Sequence, residues 1–454
     1  MIFADSLPRA KRFLACLTLS DSTLALLTRL LLVCLCHTGR ASASQAASAI
    51  RTDARHRANL TRFLARTGWA KDWSVLDQVA RLLLKQAAHS EGTWLFVLDQ
   101  TYVSTTSAQA ENTFRRANRT KRSPKSNRKQ KKHAPRKSHC FVLGLLLSPC
   151  GLRIPCCKSY YTKPYCQSQT LPFRTQTELG ADLIDALAVP EGAPVVVLGD
   201  TAFEAASVRH ACARRGFDWV MPANPERVLA GPKKQRPKLS TVVATLSPES
   251  LVRIELRPGL GAYAAQQRAS LSRLGRKAKG RASWVHAERL DVHNVGSVQV
   301  VFSTMQQPQT GQAVTVQKVL LTNRIEWTAR EVVALYACRW QVELFFKELK
   351  STLGLDEYRC RRFVQAENWV QACLVMFCYL EWYRAEELAR ADLSAARQAW
   401  WRRQRSHGIG LVVRAEIEQA DLKQILHLCT EEGGREELRQ RLAKALPLEY
   451  RQPA

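Results

Sequence analysis

The chain has 454 residues, a hydrophobic fraction of 46% and a formal net charge of +29, from 68 Lys and Arg against 39 Asp and Glu. That length can bury a large core and leaves room for two or three domains, and the apolar content excludes a chain disordered throughout. The charge points to a polyanionic partner, most commonly nucleic acid, since each neutralised phosphate releases condensed counterions; a solvated basic surface would carry the same charge.

Residues 1–90 place apolar and basic positions at helical spacing, without strand-like alternation, and predict a small all-α region suited to DNA binding. The apolar run Leu24 to Cys36 contains Thr28 and Arg29. It is short of the roughly 20 apolar residues that span a bilayer, so it reads as a buried helix and no membrane partner is expected. Further on, GRASASQAASAIRTDARHRANLTRFLAR offers Arg- and Ser-bearing helices that suit either a DNA backbone or the solvated face of a bundle. With no secretory signal, the fourteen cysteines predict a reduced, cytoplasmic protein. Cys140, Cys150, Cys156, Cys157 and Cys166 lack paired C-x2-C spacing, so they read as buried thiols rather than zinc ligands.

Residues 91–358 carry an α/β pattern. TWLFVLDQT is a short apolar run ending in Asp99, the pattern of a strand buried on both faces that stops at a polar edge. The basic segment at 115–138, with prolines and almost nothing apolar, cannot order itself around a core and predicts a loop or arm touching phosphates. CFVLGLLLSP and GLRIPCCKSYY read as two strands joined by a tight turn, followed by a helix over TQTELGADLIDALA. PVVVLGD is another buried strand, ending in Asp200, and EAASVRHACARRG and FDWVMPA add a helix and a strand. Three adjacent antiparallel strands, then alternating helices and strands, predict a mixed sheet covered by helices, the order of the ribonuclease H-like fold. Residues 224–317 alternate under Pro and Gly punctuation and predict a β-rich insertion. One long helix is expected after it, ending near Gly354, and 359–454 predict a helical C-terminal region.

The long helix can be tested against geometry. At 100° per residue, Tyr336, Arg339, Glu343 and Lys350 fall within roughly 60° of one another, whereas Glu348 lies roughly 140° from Glu343. Glu343 therefore shares a polar face with Tyr336, Arg339 and Lys350, and apolar neighbours such as Phe345, Phe346 and Leu349 pack the other directions.

The string Y-x2-R-x3-E-x6-K, together with FVLDQT and VVVLGDTAF, resembles the signature of DDE transposases from bacterial insertion sequences, in the branch with a β-rich insertion. The resemblance covers roughly Trp94 to Leu355, and the basic segment after Asp99 is longer than the connection expected there. It implies metal-dependent cleavage of double-stranded DNA at element ends and strand transfer to target DNA. It implies Asp99, Asp200 and Glu343 as catalytic residues and as ligands of two Mg²⁺ or Mn²⁺ ions, which hard carboxylate oxygens suit. Arg339, Lys350 and Lys347 are then expected to hold phosphates and Tyr336 to orient the backbone; Trp340 would either stack on a displaced base or pack the core. Pairing two ends implies at least a homodimer on DNA. Two rivals remain: a DNA-binding derivative that has lost catalysis, and a nuclease without strand transfer.

Overall fold

The computed structural model describes residues 6–36, 62–65, 69, 71–105, 107, 109–116, 136–232, 236–256, 281–358, 360–389 and 425–445. Outside them lie most of the Arg- and Ser-bearing stretch, residues 117–135 of the basic segment, residues 257–280 of the insertion and residues 390–424 of the C-terminal region.

Helices α1 (Ser6–Leu14), α2 (Asp21–Cys36) and α3 (Ser74–Ala87) open the chain. The apolar run in α2 is a core helix as expected, with Leu27, Leu30 and Leu31 fully buried. Among the described residues, no helix is long and apolar enough to cross a membrane.

A ten-stranded sheet follows among the described residues. Strand β1 (Trp94–Thr105) lies at the junction of two pairing modes. On one side it pairs antiparallel with β3 (Arg136–Leu147), which also holds the short β2 (Phe114–Arg116) and β4 (Arg153–Tyr160). On the other side β5 (Val195–Leu198) and β6 (Asp218–Pro222) run parallel to it. Helices α4 (Lys163–Gln169), α5 (Gln176–Asp185) and α6 (Ala206–Arg215) connect these strands. This is the mixed, helix-covered sheet of the ribonuclease H-like fold. Gly144 on β3 admits the ring of Phe96 from β1: a Cβ there would lie 2.2 Å from the Phe96 ring and 2.7 Å from Cys156 Sγ, so any side chain would displace the core.

The insertion contributes a short helix, α7 (Leu239–Thr245), and strands β7 (Val252–Leu256), β8 (Arg281–Val292) and β9 (Gly296–Thr304). They do not form a separate sheet: β10 (Lys318–Thr322) pairs with β9 on one edge and with β6 on the other, so the insertion extends the central sheet. The strand order is β2-β3-β1-β5-β6-β10-β9-β8-β7, with β4 pairing β3.

Two expectations are corrected. The strand bearing Asp99 does not end there but continues to Thr105, because β3 pairs along its length and Thr101, Val103 and Thr105 still bury their side chains. The expected single helix is two, α8 (Ala329–Ala337) and α9 (Trp340–Ser351). At the break, the N–H groups of Arg339, Gln341 and Val342 bond carbonyls three residues back, a local tightening that needs neither Pro nor Gly.

Helix α10 (Phe363–Ala389) runs through the core, and α11 (Gly434–Ala445) lies beyond it. The N-terminal helices pack on α10: Phe13 meets Tyr379 edge-on at 5.3 Å, Arg9 pairs with Glu387 at 2.7 Å, and the Gln371 side chain accepts from the first N–H groups of α3. Of the central cysteines, Cys140, Cys157 and Cys166 are buried but Cys150 is exposed on the β3–β4 turn.

Candidate active site

Strand register brings the two aspartates level. The last paired residues of the parallel strands β1 and β5 are Val97 and Leu198. Two residues further along each chain stand Asp99 and Asp200, on neighbouring strands whose spacing is about 4.8 Å. Asp99 is held in the continuing β1, 8% exposed, whereas Asp200 has left the strand for a turn. There its carboxylate accepts from the Ala202 N–H at 2.9 Å and its carbonyl from the N–H of the buried Phe203 at 3.1 Å.

Helix α9 packs over β1 and brings the third carboxylate. Burial raises the Asp99 carboxyl most; the Gln100 N–H at 2.7 Å opposes it, the charges of Asp200 and Glu343 raise it, Arg339 lowers it, and the result is a pKa of about 6. Asp200 and Glu343 therefore both lie within electrostatic reach of Asp99. Between two of them sits the Arg339 guanidinium, Nη1 at 3.3 Å from Asp99 Oδ2 and Nη2 at 3.4 Å from Glu343 Oε1. Among the described residues, no three His, Cys, Asp or Glu side chains stand at metal-ligand spacing.

The other residues of the helical face fall as follows. Tyr336 is buried and hydrogen-bonds the Arg339 side chain, and burial is the main reason its phenol is raised above its ordinary value. Lys350 donates to the carbonyl of Tyr102 on β1 at 3.5 Å. Lys347 is exposed, and Trp340 is 52% exposed, so its indole does not pack the core. The carboxylate of Glu343 pairs with Arg339 four residues back.

Two features escaped the sequence reading. Glu348, turned away from Glu343, is buried and meets Arg153 of β4 at 3.2 Å. Arg153 in turn meets Glu381 of α10 at 2.6 Å, and Arg384 meets the other oxygen of Glu381 at 2.6 Å. Burial opposes the charge on Glu381, but the two arginines outweigh it and hold its carboxyl below the ordinary value. The signal was an arginine inside GLRIPCC and a Glu and an Arg inside the apolar run LVMFCYLEWYR: charges on otherwise buried elements need partners. The second is Lys318 at the start of β10, whose ammonium lies 4.6 Å from the centre of the Tyr336 ring. No motif marks it.

Residues 90–380 match the family model described as the transposase DDE domain. The chain belongs to the DDE transposase family. Among curated relatives it is similar to InsL of insertion sequence element IS186A from Escherichia coli strain K12, 44% identical over 50 residues, 11% of this chain and 14% of the relative. The transposase for insertion sequence element IS421 from Escherichia coli is similar to the same degree, 44% over 50 residues, again 11% of this chain and 14% of the relative. These matches span only 14% of the relatives' length, so it is the family match across 90–380 that places the chain among DDE transposases.

Proposed function

We propose that this DDE transposase cleaves double-stranded DNA at the ends of an insertion sequence and transfers the freed strand to target DNA, with Asp99, Asp200 and Glu343 as its catalytic carboxylates. The observation that carries the reading is the register of β1 and β5, which sets Asp99 and Asp200 level beneath the helix bearing Glu343.

The donor set is three carboxylates, one buried and raised to about 6 partly by the other two. Hard oxygen ligands of this kind, in mutual repulsion, suit two divalent cations, Mg²⁺ or Mn²⁺. Asp99, Asp200 and Glu343 would hold them. When bound, such ions supply activation of water or a 3′-hydroxyl and stabilisation of the departing 3′-oxygen. The chain's own part is positioning. Arg339, now holding Asp99 and Glu343, has further N–H donors for a phosphate beside the cut, and Lys350 stands on the same face of α9 with its ammonium over β1. Tyr336 holds Arg339 through a side-chain hydrogen bond, and the exposed Trp340 and Lys347 extend the face towards DNA. A homodimer on DNA would pair two ends.

The test uses labelled duplexes made from the DNA on either side of the coding region, chosen for matched inverted repeats. Wild type with Mg²⁺ yields a 3′-hydroxyl end and a joined product, while Glu343→Gln binds the duplex without cutting it. Nicking by Glu343→Gln at the wild-type rate rejects the site; cleavage without any joined product leaves a nuclease instead.

A further inference from the structure

Lys318 opens the strand that returns from the insertion and pairs opposite Ser303 of β9. Its side chain is exposed, yet its ammonium rests 4.6 Å from the centre of the buried Tyr336 ring. Tyr336 in turn hydrogen-bonds Arg339 through its side chain, so an ammonium and a guanidinium meet at one residue. Partial burial, then the positive charge of Arg339, lowers the Lys318 pKa. Two cations thus meet at Tyr336, and they are not served equally: Arg339 is paired with Asp99 and Glu343, whereas Lys318 makes no ion pair among the described residues. An ammonium has only donors to offer, and like charges this close repel unless an anion with several acceptor oxygens bridges them.

We infer that Lys318 is a DNA-backbone contact, which the β-rich insertion delivers to the active site through β10 and which grips a phosphodiester together with Arg339. The inference rests on the DNA-cleaving reading above and extends it to a residue outside the helical signature. It also gives the insertion a physical role, because the pairing of β10 against β6 fixes the start of β10 against Tyr336 on α8. The bland alternative is that the lysine merely covers an aromatic ring, a contact that an uncharged chain of the same length would keep.

The experiment measures binding of the full chain to a fluorescent mixed-sequence DNA duplex by polarisation, without divalent ions, across a salt titration. Lys318→Met keeps the cover over Tyr336 and removes the charge; Lys318→Arg keeps both. One lost phosphate contact flattens the plot of log K against log salt by about 0.9, which is roughly eightfold weaker binding at about 0.1 M salt relative to a common value near 1 M. Lys318→Met should show that change with an unaltered thermal midpoint, and Lys318→Arg should restore the wild-type slope. A wild-type slope in Lys318→Met overturns the inference alone and leaves the carboxylate site standing. A wild type with no salt-dependent DNA binding overturns both this inference and the reading it rests on.

Discussion

Arg153→Met should destabilise the protein far more than a surface charge change would. The Arg153 guanidinium meets Glu381 at 2.6 Å and Glu348 at 3.2 Å, and its own backbone N–H donates to Glu381 at 3.2 Å. The side chains of Arg153, Glu348, Glu381 and Arg384 are 3%, 4%, 0% and 1% exposed, so water screens none of them. Two arginines and two glutamates make a neutral set; without Arg153, Glu348 and Glu381 each lose that guanidinium among apolar neighbours such as Phe377, while Arg384 stays on Glu381. Breaking a buried pair by removing one partner costs about 3–5 kcal/mol, whereas replacing both partners with apolar groups is often close to neutral. The double variant Arg153→Met with Glu348→Met restores neutrality, leaving the Glu381–Arg384 pair, and should regain at least about 2 kcal/mol of the loss. Thermal unfolding followed by circular dichroism reads this as a fall of roughly 3–5 °C for the single variant and a clearly smaller one for the double. A single variant within a degree of wild type, or a double variant whose loss is the sum of the two singles, would refute the reasoning. Because Glu348 and Glu343 ride on the same helix, the single variant should also lose cleavage before it loses DNA binding.

Two pH dependences follow. His139 is 1% exposed between Tyr358 Oη at 2.7 Å and the Glu111 carbonyl at 2.9 Å, and burial lowers its pKa. The unfolded chain therefore takes up that proton first, so stability is lost as pH falls below about 6.5, and His139→Gln should remove this component from the pH profile of the thermal midpoint. Asp99 acts in the opposite sense: its folded pKa of about 6 exceeds the unfolded value of about 3.9. Without divalent ions, stability should fall by up to about 3 kcal/mol as pH rises from about 4 to 6, and Asp99→Asn should abolish that slope; an unchanged slope contradicts the electrostatic account of Asp99.

Much of this was legible in the sequence because the informative contacts were local. The apolar runs ending near Asp99 and Asp200 are strands, and the helix between Thr175 and Asp185 follows its capping box. What was not legible is non-local. That Asp99 and Asp200 stand level depends on the parallel pairing of β1 and β5, which are joined only after three antiparallel strands and two helices. The continuation of β1 through Gln100 to Thr105 depends on β3 supplying partners for a polar stretch. The break at Arg339 has no breaker residue to announce it; an ideal helix was the natural reading of ALYACRWQVELF, and the tightened turn sets the spacing between Tyr336 and Glu343 instead. The insertion read correctly as β-rich, but only its pairing through β10 shows it to be an extension of the catalytic sheet that brings Lys318 to Tyr336.

The central claim is that Asp99, Asp200 and Glu343 together hold divalent cations. An anomalous difference map from crystals of the protein on element-end DNA with Mn²⁺ tests it directly: the account predicts manganese peaks among these three side chains, with Arg339 turned from them to a phosphate. Manganese bound elsewhere, or an ordered site in which the three carboxylates face different partners, would contradict it.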